Sequence, residues 1–143
     1  MQKGIDYPGI TVVFFCHDGQ GNYVLAKRGK NCRDEHGCWD PGGGGVEHGE
    51  SVEETLKKEI AEEYCTDVLE YEFLGYQDVF REANGQRTHW IALTFKVLVD
   101  TNKVANGEPH KMDEIGWFPM KSLPTPLHSQ WDRVVNAYKD KLI

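Results

Sequence analysis

The chain has 143 residues and a mass of 16.3 kDa, and 39% of its residues are hydrophobic; this suffices for one core, and a single domain over residues 1–143 is expected. With 16 basic against 23 acidic residues the net charge is -7, which excludes coating of nucleic acid and docking on anionic membranes, and a phosphorylated partner then needs a cation between two negative surfaces. Residues 1–9 lack the apolar core of a signal peptide, the apolar run Ile10–Cys16 is far short of a membrane span, and four cysteines (Cys16, Cys32, Cys38, Cys65) read as free thiols of a cytoplasmic protein.

Ile10–Cys16 is apolar at both alternating sets of positions, so it predicts a strand buried on both faces. His17–Asn22 is turn chemistry, and Tyr23–Arg28 returns as a second strand, giving a hairpin. Gly29–Cys38 reads as a polar loop, followed by Trp39-Asp40-Pro41 and the glycine run Gly42–Gly45. Ser51–Tyr64 is the strongest helix signal: Ser51-Val52-Glu53-Glu54 is a capping box, in which each side chain satisfies an orphan backbone N–H. Leu69–Arg81 and Thr88–Val99 read as strands joined by a tight turn at Asn84-Gly85. Asp100–Asp113 reads as a loop, Gly116–Pro119 as a short strand, and the segment from Leu127 to Leu142, after Pro124 and Pro126, as an amphipathic helix. Helices and strands interleave, which is a mixed α/β pattern.

The predicted helix carries an electrostatic problem. At about 100° per residue, Glu59, Glu62 and Glu63 span an arc of about 100° that overlaps the apolar stripe of Val52, Leu56 and Ile60. Glu53–Lys57 and Glu54–Lys58 are well-ordered i, i+4 pairs with a structural explanation. Glu59 and Glu63 have no basic partner at that spacing, and Glu62 has Lys58 only in the weaker order. Three carboxylates without matched cations point to a hard divalent ion, Mg²⁺ or Mn²⁺, which takes oxygen ligands. The glycine run lets backbone approach a ligand closely. It is not a phosphate-cradling P-loop, because Glu50 stands where that motif needs Lys.

Gly44, Glu50, Lys58-Glu59-Ile60 and Glu62-Glu63 stand at the spacing of the Nudix (MutT-like) box, and the stretch Gly44–Thr66 resembles that family. Two positions depart from it. Lys58 replaces an Arg whose planar fork fixes the neighbouring Glu, and Cys65 replaces the Gly that ends the helix in a left-handed conformation, a strain of roughly 1 kcal/mol. Thr66 stands in place of an apolar residue.

The resemblance implies an α/β/α sandwich with a mixed sheet and the motif on a loop-helix-loop. It implies divalent-metal-dependent hydrolysis of a diphosphate linked to another moiety, usually a nucleoside. Carried over to this chain, Glu59, Glu62 and Glu63 would hold the metal, with the Gly43 carbonyl as a further ligand and Lys58 beside them. The general base is either Glu59 or Glu114. Arg28 is either a phosphate contact or a strand-edge charge, and Trp117 and Tyr76 are either base-stacking or core aromatics. The chain lacks the downstream proline of ADP-ribose members, since no proline falls between Pro41 and Pro109, and elimination leaves the nucleoside triphosphate group. A non-catalytic nucleotide-binding module and a diphosphate isomerase are the competing readings. The partner expected is a phosphorylated small molecule, and the chain itself is either monomer or homodimer.

Overall fold

The two-sided apolar character of Ile10–Cys16 fixes the centre of the molecule. Strand β1 (Gly9–His17) sends Val12, Phe14 and Cys16 to one side and Phe15 to the other, and all four are buried. Both faces therefore need apolar cover. Helix α1 (Val52–Tyr64) supplies it on the first face through Leu56, Ile60 and Tyr64. Helices α2 (Trp131–Ala137) and α3 (Lys139–Leu142) supply it on the second through Trp131, Val135 and Leu142. Each fully buried Leu or Ile of this kind contributes roughly 1.5–3 kcal/mol. The computed structural model describes residues 1–82 and 84–143 with their side chains.

The sheet is mixed. Strands β2 (Asn22–Arg28), β3 (Trp39–Asp40), β5 (Val68–Ala83) and β6 (Gln86–Val99) give the order β3-β2-β1-β6-β5. Strand β4 (Gly43–Gly45) pairs with β1, and β7 (Met112–Pro119) pairs with β2. Among the described strand pairs, β1 and β6 run parallel and the others antiparallel. Strands β1 and β2 are in register at His17 and Tyr23, next to their turn, and then part: β1 takes β4 as its neighbour while β2 takes β7. The fork between them is where the functional cleft opens.

Helix α1 begins as its sequence predicts. Ser51 Oγ accepts from the Glu54 N–H at 3.1 Å. It ends at Cys65, which sits in the left-handed region at φ 58°, ψ 22° and donates its N–H to the Ala61 carbonyl at 3.1 Å. Asn84 and Gly85 turn the β5–β6 hairpin with φ of 53° and 74°. Three expectations need correction. Gly43–Gly45 of the glycine run is strand where the resemblance implies a loop before the helix, because hydrogen bonds to β1 supply the order that glycine's own propensity lacks. The segment around Gly116 starts earlier, at Met112, so Glu114 lies on a strand opposite Lys27. The C-terminal helix starts at Trp131, since Leu127 is bridged to Trp39, and it breaks at Tyr138 into α2 and α3. Among the described residues no helix is long and apolar enough to cross a membrane.

Candidate active site

Strand β4 sets the glycine run beside α1. Gly43 and Gly44 face Val13 and Val12 across the ladder, and Thr11 Oγ1 donates to the Gly44 carbonyl at 2.9 Å. Here glycine is required by contact. A Cβ on Gly44 would run into the Glu59 carboxylate, and one on Gly42 would reach 2.5 Å from the Phe14 ring. The helix is fastened to the same segment by Tyr64, whose hydroxyl donates to the Pro41 carbonyl at 2.6 Å.

Glu59 and Glu63 are brought together with this backbone. The Gly43 N–H donates to the Glu63 carboxylate, yet Glu63 Oε2 is buried with no partner. Burial, followed by the charges of Asp40, Glu108 and Glu59, pushes the Glu63 pKa well above the usual carboxylate range. Burial and then Glu62 push Glu59 up as well. Glu62 is exposed at the rim. Glu62 and Glu63 also lie in the last helical turn, which holds no basic residue, so the negative end of the helix dipole opposes them.

One further acid joins them. The loop Val104–Glu108 closes the C-terminal end of α1: the N–H groups of Ala105 and Gly107 donate to the carbonyls of Tyr64 and Glu63 at 3.0 and 2.8 Å. Only glycine fits at 107, where a Cβ would collide with the Glu62 carbonyl. Asn106 then holds the Glu108 N–H at 3.0 Å, and Glu108 lines the cleft with Glu59, Glu62 and Glu63. The sequence reading missed Glu108. Its one signal is Asn106-Gly107 just before it, a turn pair inside what read as a uniform loop.

The acids form one wall of a cleft of about 840 Å³. The cleft is also lined by apolar and aromatic side chains, among them Val13, Phe15, Val79, Trp90 and Trp131, with Gln77 and Gln130. That is the size and make-up of a small-molecule site. A third group closes one end. Arg28 donates to Asp40 (2.9 Å) and to the Asp34 carboxylate and carbonyl (3.0 Å each). Arg81 holds Asp34 at 3.1 Å and Glu35 at 2.9 Å. Glu35 in turn accepts from the Ser129 N–H and hydroxyl and faces His128 at 3.2 Å. This network ties the Gly29–Cys38 loop across the end of the cleft.

Several expected site residues stand elsewhere. Glu114 is exposed on β7 and does not line the cleft, because strand pairing with β2 carries it away. Trp117 and Tyr76 are exposed on β7 and β5 and do not line it either; Trp90 and Trp131 do. Arg28 lines the cleft with its fork already held by Asp34 and Asp40. Lys58 donates to Glu50 Oε2 at 2.7 Å, while Thr55 donates to the other Glu50 oxygen at 3.1 Å. The predicted Glu54–Lys58 pair gives way to this one. Glu53–Lys57 forms at 3.0 Å.

The NUDIX domain family model matches residues 7–138. The chain belongs to the Nudix family. It is a hydrolase, in keeping with its relatives. It is 31% identical over 122 residues to the nucleoside triphosphatase NudI of Enterobacter sp. (strain 638), a match covering 80% of this chain and 85% of the relative. A MutT NUDIX hydrolase structure from Burkholderia pseudomallei aligns with a TM-score of 0.80 at 27% identity, over 92% of this chain and 98% of that one. The NUDIX domain of Shewanella oneidensis NrtR, complexed with ADP ribose, shares the fold at 18% identity and a TM-score of 0.72, over 96% and 90% of the two chains. Against this family background the acid wall fits a divalent cation: its donors are all oxygen, and Glu63 Oε2 is a buried carboxylate oxygen without a partner. Among the described residues no three acidic, His or Cys side chains converge into a ready cage.

Proposed function

We propose that this Nudix hydrolase cleaves the diphosphate bond of a nucleoside triphosphate-type substrate with the help of Mg²⁺ or Mn²⁺. The observation that carries the reading is the unpartnered Oε2 of Glu63, buried beside Glu59 at the acid wall of a cleft also lined by aromatic side chains. The name of the NudI relative, a nucleoside triphosphatase, supports the substrate class. Glu59, Glu62 and Glu63 are the residues that would hold the ion, with the Gly43 carbonyl as a further candidate. When bound, a divalent ion supplies charge neutralisation between carboxylates and diphosphate and acidifies the attacking water.

The chain's own residues do the rest. Glu63 accepts from the Gly43 N–H, and the Glu59 carboxylate lies against Gly44, so both acids sit beside the glycine strand. Glu59 and Glu108 are the candidates to accept a proton from water; Glu108 replaces Glu114 in this role because it lines the cleft. Trp90, which lines the cleft and is only partly buried, offers apolar surface to a nucleobase. A product-resolved panel of nucleotides and nucleotide sugars, with Mg²⁺ and with EDTA, tests the proposal. Turnover should need the ion and fall at least about 100-fold in Glu63→Gln. Full turnover in EDTA, or in the variant, counts against it.

A further inference from the structure

The chain ahead of β1 forms a strap fastened at both of its sides. Gly4 donates its N–H to the Tyr7 carbonyl at 2.7 Å, and its own carbonyl accepts from the His89 N–H at 2.8 Å. Lys3 Nζ donates to the Val46 carbonyl at 3.2 Å and meets Glu47 Oε2 at 3.3 Å. The strap therefore joins β6 to the segment that leads from the glycine strand into α1. Its residues 1–6 lie ahead of the span shared with the family.

What the strap covers is Trp90. This residue is the partner of Gly9 in the parallel ladder and of Val79 on the other side, and with Val79 it lines the cleft. A Cβ on Gly9 would come within 2.5 Å of Cζ3 in the six-membered ring of the indole, and one on Gly4 within 2.5 Å of its Nε1. Both glycines are buried. The indole is thus seated on glycine at both ends, and a Cβ on Gly45 would stand 3.9 Å from it as well. Gly9 lies in β1, so space requires glycine there; Gly4, at φ 85°, needs it for the backbone too. We propose that the strap and Gly9 are positioning elements for substrate recognition, which hold the Trp90 indole at the cleft so that its uncovered part meets the base of the nucleotide. The proposal rests on the nucleotide reading above. A ring fixed before the nucleotide arrives removes side-chain ordering from the cost of binding, so the effect belongs in KM and not in kcat.

Fluorine NMR of the full chain labelled with fluorotryptophan, together with steady-state kinetics, tests this; Trp90→Phe assigns the Trp90 signal. In Mg²⁺, dATP, dGTP, dCTP and dTTP are added in turn, and at least one should move that signal. Inorganic tripolyphosphate, which has no base, should leave it in place. Gly9→Ala should displace the Trp90 signal in the free protein and raise KM for the nucleotide at least about tenfold, with kcat changed by less than about twofold. Phe at position 90 is small enough to clear the added methyl, so Gly9→Ala should have almost no effect in the Trp90→Phe background, a coupling that general loss of structure would not show. If Gly9→Ala does not fold, Gly4→Ala takes its place. A Trp90 signal unmoved by the folded glycine variant, or a displaced signal with KM unchanged, overturns the proposal and leaves the nucleotide reading standing. A wild-type signal that no nucleotide moves overturns both.

Discussion

Exchanging Glu63 for Gln removes an ionisable group and almost no volume, and in the metal-free protein that group works against folding: burial pushes its pKa up, so near pH 7 it must either stay charged without a partner or take up a proton. Its Oε2 has no partner, and Asp40, Glu108 and Glu59 all repel it. A buried polar group left unpaired costs roughly 1–3 kcal/mol, and more when charged. A negative charge in the last turn of a helix adds about 0.3–1 kcal/mol. The amide of Gln is neutral and can donate to a neighbouring carboxylate. Glu63→Gln is therefore expected to be about 2–3 kcal/mol more stable than the parent in EDTA, a rise in Tm of roughly 6–9 °C for a chain of this length. Magnesium should close the gap. A ligand at one hundred times its Kd stabilises the native state by about 2.7 kcal/mol, and the variant should gain little of that. Thermal melts of both proteins in EDTA and in Mg²⁺ make the comparison. A variant that melts at or below the parent in EDTA, or that gains as much from Mg²⁺, refutes the idea that this carboxylate is under electrostatic stress until a cation shares its charge.

Gly44→Ala places a methyl group in the Glu59 carboxylate, so turnover should fall at least about tenfold while circular dichroism stays native. Glu108→Gln should slow turnover by about 10–100-fold and Glu114→Gln by less than about twofold, since only the first lines the cleft; equal effects would sink the reassignment. Cys65→Gly relieves a left-handed residue and should raise stability by about 1 kcal/mol, read as a rise of roughly 3 °C in Tm. Glu35 supplies the pH dependence. Burial opposes its ionisation, but Ser129, His128 and Arg81 outweigh burial and hold its pKa below the usual range. With the folded value depressed, its contribution is present above the unfolded pKa of about 4.3 and lost as pH falls through the folded value. The Tm gap between wild type and Glu35→Gln should thus be full at pH 7 and shrink below about pH 4.3; a gap that widens in acid would contradict the assignment.

The elements that periodicity describes well were legible in the sequence. Ile10–Cys16 announced a strand with two buried faces, and Ser51 with Glu54 announced where α1 starts. The spacing of Glu59, Glu62 and Glu63 announced a shared cleft wall, because a helix fixes its own angles. What escaped was decided by partners distant in sequence. Gly43–Gly45 becomes a strand only because Thr11–Val13 is there to pair with it. Glu114 leaves the site because β7 is drawn onto β2, and Glu108 enters because Gly107 seats its loop on the end of α1. Lys58 chose Glu50, which lies before the helix, over Glu54 one turn back. Arg28 looked free because Asp34 and Asp40 are brought to it by a loop, not by a regular spacing.

The pairing of Gly43–Gly45 with β1 has a bearing on how the enzyme fails under heat. Catalytic loops commonly open at lower free energy than the core and lose activity first. Here the backbone that steadies Glu59 and Glu63 is laddered to the strand at the centre of the molecule, two residues of which, Val12 and Phe14, are wholly enclosed. Amide exchange along the glycine run should then proceed through the same global opening as the core, and inactivation and unfolding should trace one curve.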